Sequence, residues 1–220
     1  MAQPDLIIFD CDGVLIDSEA IACRTDSACL AEIGIAMSAE DIMERYVGIS
    51  TETMLADIAQ CQGKPLPADF PQTLRERIAA AFETELRPIE GVEPVLRALP
   101  FRRCVASSSA PARLQHSLSL TGLLHCFQPH IFSATQVARG KPAPDLFLFA
   151  AASMQAAPDR CVVIEDSEAG VRAAVAAGMQ VIGFTGGGHC RPGHGERLHA
   201  AGAGSICDAM RRLPGLLASA

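Results

Sequence analysis

The chain has 220 residues, of which 49% are hydrophobic and 20% are charged. This composition is typical of a folded globular protein, and the length suffices for one sizeable domain or for a core with a smaller insert. The formal net charge is −7 and no basic stripe is present, which argues against nucleic acid as a partner.

The distribution of apolar residues and cysteines indicates the compartment. No apolar run approaches the roughly 20 residues that cross a bilayer, and the first residues lack the basic region of a signal peptide. The nine cysteines are scattered, odd in number and without a Cys-x-x-Cys pair, which is typical of free thiols in a reducing compartment. We therefore expect a cytoplasmic protein with no membrane partner.

The first element of the chain is a short apolar run, 6–9, that ends in two carboxylates, Asp10 and Asp12, followed by Gly13. Such a run predicts a buried strand of a parallel sheet, with Asp10 at the edge where open α/β sheets bind ligands. Two carboxylates this close repel each other unless a cation or a shared proton intervenes. Magnesium takes hard oxygen ligands of this kind. The alternative for this motif alone is a turn cap after a strand.

Residues from about 18 to 87 show helical periodicity and no strand pattern. The periodicity predicts a series of helices over about 18–33, 51–60 and 68–86. Ser38, followed by acids, is the predicted N-cap of a further helix. Gly48 interrupts the pattern and is interpreted as a hinge, a contact to the crevice or the end of a helix.

Strand and helix patterns alternate again after Pro88. The strand candidates are 103–107, 130–133, 161–166, 180–184 and 205–208. Strands separated by helices predict right-handed βαβ crossovers, and hence an α/β fold with a Rossmann-like, doubly wound parallel sheet. The sequence therefore predicts a core over 1–16 and 88–220, with an all-helical cap domain inserted over 17–87.

Reactive side chains follow strand ends or turns at four points of the chain: Asp10 with Asp12, Ser107, Lys141, and Glu165 with Asp166. In a doubly wound sheet these groups converge on one crevice at the carboxyl edge. Together they supply the groups that phosphoryl transfer requires, namely a nucleophilic carboxylate, a second acid, ligands for a metal, a cation and a hydroxyl donor.

The four motifs, in this order and with a helical cap after the first, resemble those of the haloacid-dehalogenase-like superfamily. The chain is similar to its phosphatase and β-phosphoglucomutase branch, including sugar-phosphate phosphatases of the 6-phosphogluconate type. The resemblance implies a Mg²⁺-dependent phosphoric monoester hydrolase that acts on a small phosphorylated metabolite, a sugar or sugar-acid phosphate, through an aspartyl-phosphate. We expect a monomer or a small homo-oligomer.

The resemblance also implies catalytic roles. Asp10 would be the nucleophile, and Asp12 would protonate the leaving group and later deprotonate the attacking water. Ser107 would bind the phosphoryl group together with the N–H of Ser108, and Lys141 would pair with Asp10 and the phosphoryl oxygens.

Metal and substrate ligands follow from the same resemblance. The implied metal ligands are Asp10, the backbone carbonyl of Asp12, Asp166 and Glu165. Gly48, in the cap loop, is the candidate substrate contact outside the core.

The principal alternative is a sugar phosphomutase of the β-phosphoglucomutase kind. Asp12 favours an oxygen leaving group over the halide of the true dehalogenases, which lack an acid at this position. Mutases of this branch carry a cap arginine where this chain has Thr51 and a histidine where it has Ala22. Their absence favours hydrolysis.

Two further features have a functional and a structural interpretation. The cap arginines Arg45, Arg75 and Arg77 either bind a carboxylate or hydroxyls of the substrate or are solvated surface groups. The loop over 186–194 contains His189, Cys190 and His194, but four ligands with zinc-like spacing are lacking. A flexible surface loop is therefore the preferred interpretation.

Overall fold

The computed structural model describes residues 3–219. Its centre is a six-stranded, wholly parallel sheet with the strand order β3-β2-β1-β4-β5-β6. The strands are β1 (Leu6–Phe9), β2 (Arg102–Ser107), β3 (Ile131–Ser133), β4 (Cys161–Glu165), β5 (Gln180–Phe184) and β6 (Ser205–Cys207). The strand order reverses direction at β1, so the predicted doubly wound α/β fold is confirmed.

Residues 3–219 contain ten α-helices. The connection between β1 and β2 begins with four of them: α1 (Glu19–Glu32), α2 (Ala39–Tyr46), α3 (Thr51–Gln62) and α4 (Phe70–Glu85). The others are α5 (Val92–Ala98), α6 (Pro111–Leu120), α7 (Asp145–Ser153), α8 (Glu168–Ala176), α9 (His194–Ala201) and α10 (Leu213–Ser219). None of the helices in this range combines the length and apolarity needed to cross a membrane.

Strand β1 is buried on both faces, which explains its uninterrupted apolar sequence. Ile7 and Phe9 belong to the apolar cluster that includes residues of α5, α6 and α10. Leu6 and Ile8 point to the opposite face, where they pack with residues of α7 and α8. The sheet is therefore a middle layer between two helical layers.

The four helices α1 to α4 form the predicted cap. The chain leaves and re-enters the core at one place, because Ile16 forms an antiparallel bridge with Pro88 and the N–H of Asp17 donates to the carbonyl of Arg87 at 3.0 Å. Ser38 begins α2 with a capping box to Asp41, so the predicted N-cap is confirmed. The exact domain boundaries, 1–16 with 88–220 and 17–87, remain a prediction.

Three neighbouring strands determine the position of the site. Ser107 is the last residue of β2, Asp10 directly follows β1, and Glu165 is the last residue of β4. Because β2, β1 and β4 are adjacent and parallel, their carboxyl ends meet at one edge of the sheet.

Candidate active site

Lys141 joins two acids at the carboxyl edge of the sheet. Its Nζ lies 2.7 Å from Oδ1 of Asp10 and 2.6 Å from Oε1 of Glu165, and all three residues are buried. The parallel register of β1 and β4 places the two carboxylates side by side. Lys141 enters from the turn before α7, and its Nζ lies 5.0 Å from the centre of the Phe147 ring. The structure therefore brings together three of the predicted site residues.

Burial and charge act against each other in this group. Burial raises the pKa of Asp10; Lys141 opposes the rise, and Glu165 and Asp166 add to it. Burial lowers the pKa of Lys141, but Asp10 and Glu165 outweigh it and the net shift is upward. Lys141 is therefore a permanent cation beside Asp10.

Both carboxylate oxygens of Glu165 accept hydrogen bonds. Oε1 accepts from Lys141, and Oε2 accepts from the backbone N–H of Ser167 at 2.8 Å and from its hydroxyl at 2.9 Å. A Cβ on Gly170 would lie 1.8 Å from Oε1, so α8 approaches this carboxylate closely only because it carries a glycine there. These contacts suit a group that orients Lys141, and the metal-ligand role of Glu165 remains a prediction.

Asp166 is the least satisfied acid of the site. It is 1% exposed, and its Oδ2 has no hydrogen-bond partner within residues 3–219, although Nε2 of His189 lies 3.0 Å away. Burial and the neighbouring Glu165 raise the pKa of Asp166. A buried carboxylate oxygen without a partner is costly, and a bound cation is the usual remedy.

Asp10, Glu165 and Asp166 fit a divalent cation. One carboxylate oxygen from each lies within 4.8 Å of the others, and Lys141 offsets only one of the three negative charges. Hard oxygen donors of this kind bind Mg²⁺ or a similar ion. Asp10 and Asp166 are the residues with oxygens best placed to hold it, because those of Glu165 are engaged.

Asp12 is held by residues that the sequence did not single out. Its Oδ1 accepts from Ser18 at 2.7 Å and from Arg113 at 2.9 Å, and its Oδ2 accepts from Ser109 at 2.7 Å. Burial alone would raise the pKa of Asp12, but the Arg113 charge and the three hydrogen bonds outweigh it and lower the pKa. Asp12 is therefore ionised and fixed in orientation.

The serines at the end of β2 contact different parts of the protein: Ser107 contacts the core, and Ser108 contacts the cap. Ser107 is 1% exposed, and its Oγ lies 3.5 Å from Oδ2 of Asp12 and accepts from the N–H of Ser109 at 3.1 Å. The hydroxyl of Ser108 donates to the carbonyl of Gly48 at 2.9 Å. Gly48 has φ +82°, and a Cβ there would lie 2.2 Å from Oγ of Ser167. The cap loop therefore contacts the core directly at Gly48.

Comparison with known families identifies the chain. A family model described as haloacid dehalogenase-like hydrolase matches residues 4–178. The chain belongs to the haloacid dehalogenase-like hydrolases. It is 32% identical over 193 residues to a 6-phosphogluconate phosphatase of Escherichia coli strain K12, with 87% of each chain covered. It is also 32% identical over 182 residues to hexitol phosphatase A of the same organism, with 80% of each covered.

A solved structure supports the same assignment. The chain resembles a conserved haloacid dehalogenase-like protein of unknown function from Agrobacterium tumefaciens str. C58 at 42% identity and a TM-score of 0.84, with 98% of each chain covered. The resemblance seen in the four sequence motifs is thus confirmed at the level of the family and of the fold.

A cavity of about 460 Å³ in this hydrolase lies between the strand ends and the cap. Asp10, Asp12 and Ser107 line it from the core, and residues of all four cap helices line it from the other side. A cavity of this volume is typical of sites for small molecules. A ligand bound there contacts the carboxylates and the cap at once.

The three cap arginines differ in their surroundings. Arg45 pairs with Asp57 at 3.1 Å and Arg77 pairs with Glu32 at 3.2 Å, and all four side chains are exposed. Neither arginine lines the cavity, whereas Arg75 does. Of the three, Arg75 is the one placed to meet a ligand.

The sequence predicts a flexible surface loop over 186–194, and the structure shows that this is wrong at His189. This residue is 3% exposed, and its ring lies against Asp166. The N–H of Gly188 donates to Oδ1 of Asp17 at 2.9 Å, and Nε2 of His194 lies 2.6 Å from the backbone carbonyl oxygen of Asp166. The loop is therefore part of the wall behind the candidate metal site.

Proposed function

We propose that the protein is a Mg²⁺-dependent phosphatase that hydrolyses a small phosphorylated sugar or a related metabolite through an aspartyl-phosphate on Asp10. The observation that carries the proposal is the position of Asp10, which lines the cavity together with Asp12 and contacts the buried Lys141 beside Asp166. Family membership and phosphatase relatives support the same reaction class.

The first half-reaction transfers the phosphoryl group to the enzyme. A carboxylate oxygen of Asp10 forms a bond to phosphorus as the ester P–O bond breaks. Asp12 is ionised in the free protein, so it first takes the proton of the bound phosphate monoanion and then gives that proton to the leaving oxygen. Lys141 and the Ser107 hydroxyl bind the phosphoryl oxygens, whose charge must be balanced in a buried site. The divalent cation, when bound, neutralises further charge on the same oxygens.

The second half-reaction restores the enzyme. Asp12 takes a proton from a water molecule, the water oxygen bonds to phosphorus, and the bond between phosphorus and Asp10 breaks. The proton then passes from Asp12 to the departing inorganic phosphate, so that Asp12 is ionised again. The low pKa of Asp12 keeps it ionised and ready to act as this base. Cap residues above the cavity limit access of other water during the transfer.

A phosphomutase is the second candidate, because the same chemistry would serve it. Ala22 and Thr51 both line the cavity, and they stand where mutases of the resembling branch carry histidine and arginine. A methyl group and a short hydroxyl cannot hold a bisphosphorylated intermediate as those side chains would. Hydrolysis is therefore the better supported reaction.

A panel of phosphorylated sugars, sugar acids and polyols, assayed with Mg²⁺ and with EDTA, tests the proposal. We expect phosphate release in Mg²⁺, its loss in EDTA and its loss in Asp10→Asn. Glu40→Gln, an exposed substitution on α2, is the control. Undiminished release by Asp10→Asn would refute the nucleophile, and formation of an isomeric phosphate without free phosphate would favour the mutase.

A further inference from the structure

The wall of the cavity contributed by α1 carries two acids that the proposed chemistry does not use. Glu19 and Asp26 both line the cavity. Asp26 is 6% exposed, and its Oδ1 has no hydrogen-bond partner in the part of the chain that the structure describes. A buried acceptor without a donor is costly in the free protein. Because Asp26 lines the cavity, a hydroxyl of a bound ligand can approach its carboxyl group.

The cations around the cavity do not neutralise these acids by direct pairing. Arg113 pairs with Asp12 at 2.9 Å, and His116 pairs with Glu83 at 2.7 Å. Arg75 is exposed and donates a hydrogen bond to the neutral Gln72 at 2.9 Å. The α1 wall is therefore acidic. Arg75, which has no acidic partner among the residues that the structure describes, is exposed, and solvent screens its charge.

This wall disfavours additional negative charge. Burial raises the pKa of Glu19 to about 8, and the charges of Asp12 and Asp166 contribute. Burial likewise raises the pKa of Asp26 to about 6, although Arg113 opposes it. A carboxylate or a second phosphate of a substrate, bound at the same place, would meet the same burial and the same neighbours.

Hydroxyl groups suit the wall instead. A hydroxyl donates to a carboxylate oxygen such as Oδ1 of Asp26 and brings no charge. Arg113 also lines the cavity, and its buried Nε–H has no partner within residues 3–219. A site with unpaired polar groups discriminates strongly in favour of ligands that pair them.

We propose that Asp26, together with Glu19, selects phosphate esters whose leaving group is neutral and rich in hydroxyls, and excludes esters that carry a second anionic group. The substrate class is then sugar or polyol monophosphates and not sugar-acid phosphates. This inference rests on the proposed phosphatase function. Two relatives that are equally identical to this chain are named for a sugar-acid phosphate and for hexitol phosphates. The inference predicts that this protein prefers the second kind of substrate.

Glucitol 6-phosphate and 6-phosphogluconate form a matched pair of probes, because they differ only in a hydroxymethyl group against a carboxylate at C1. We expect the wild-type kcat/KM for glucitol 6-phosphate to exceed that for 6-phosphogluconate by about tenfold or more, on the scale of discrimination by paired polar groups. The ratio of the two kcat/KM values is measured on the wild-type protein alone. Asp26→Asn keeps the shape and removes the charge, so the ratio should fall at least about threefold, chiefly through KM of the gluconate ester.

Glu40→Gln, an exposed charge change outside the cavity wall, should leave the ratio unchanged. Glu19→Gln, assayed above pH 8 where Glu19 is ionised, provides a second, independent variant. Equal or faster hydrolysis of 6-phosphogluconate by the wild type would overturn the inference, and its loss in Arg75→Ala would then identify Arg75 as the carboxylate ligand. An unchanged ratio in both Asp26→Asn and Glu19→Gln would overturn the assignment to these residues. Failure to hydrolyse any ester, p-nitrophenyl phosphate included, would instead refute the proposed function and the inference with it.

Discussion

The guanidinium of Arg113 donates a hydrogen bond at 2.9 Å to Oδ1 of Asp12, across 101 residues of sequence. The pair links the helix after β2 to the loop after β1, and Arg113, together with the hydrogen bonds from Ser18 and Ser109, lowers the pKa of Asp12 despite its burial. In the proposed mechanism Asp12 moves two protons, so its orientation and its charge both depend on Arg113.

We therefore predict that Arg113→Gln lowers kcat by about 10- to 100-fold, the range associated with a positioned acid–base group. Arg113→Lys should retain more activity than Arg113→Gln, since it keeps the positive charge but loses the planar guanidinium. Steady-state kinetics of both variants, with circular dichroism to verify folding, provide the measurement. Wild-type turnover in a folded Arg113→Gln variant would contradict the assigned dependence.

Glu165 and Asp166 are adjacent in sequence but have different surroundings. We predict that Asp166→Asn weakens Mg²⁺ binding at least about tenfold, because it removes a charged oxygen at the site. Glu165→Gln should leave Mg²⁺ affinity within about threefold while lowering turnover, because it chiefly disturbs Lys141.

Isothermal titration of Mg²⁺ into each variant separates the two roles, and the variants are matched because each removes one negative charge. Equal weakening of Mg²⁺ binding in Glu165→Gln would place Glu165 among the metal ligands, as the sequence predicts.

Gly48 and Gly63 provide a matched pair for the contact between cap and core. Both have positive φ, +82° and +64°, but a Cβ on Gly48 would lie 2.2 Å from Oγ of Ser167, whereas a Cβ on Gly63 would meet nothing within 4 Å. Both alanine variants should lose about 1 kcal/mol of stability from the backbone conformation. We predict that Gly48→Ala alone also loses about tenfold in kcat/KM, measured on the best ester of the panel. Equal activity of the two variants would argue that the loop contact is irrelevant to turnover.

Asp26 should make the protein less stable as pH rises. Burial raises its pKa from 3.8 to about 6, so between these values the folded state binds a proton that the unfolded state has released. The free energy of unfolding contributed by this group therefore decreases across that interval. Asp26→Asn should consequently gain about 1–3 kcal/mol relative to the wild type between pH 4 and pH 7. Urea unfolding at both pH values measures the difference, and a constant difference would contradict the buried, unpaired state of Asp26.

The features that could be predicted from the sequence depend on the spacing of apolar residues and on where the strands end. Short apolar runs separated by helical segments predict a parallel sheet, and a parallel sheet brings the residues after β1, β2 and β4 to one edge. The proximity of Asp10 to Glu165 follows from that topology alone. The position of Lys141 between them adds the turn before α7, which the Gly-Lys-Pro sequence indicated.

Features that depend on side-chain contacts between distant segments could not be predicted in this way. Arg113 is one of many arginines in the sequence, and only the packing of α6 against the loop after β1 distinguishes it. His189 was missed because a glycine-rich segment is typical of an exposed loop, yet its contacts to Asp17 and Asp166 are tertiary. Asp26 follows the helical pattern of α1, and its burial depends on how the cap meets the core.

Acid quenching during turnover, followed by peptide mapping of the phosphorylated enzyme, tests the central claim most directly. We expect labelled phosphate on the peptide that contains Asp10, labile to hydroxylamine as an acyl phosphate is, and no label in Asp10→Asn. Label on another residue, or sustained turnover by Asp10→Asn without any phosphoenzyme, would contradict nucleophilic catalysis by Asp10.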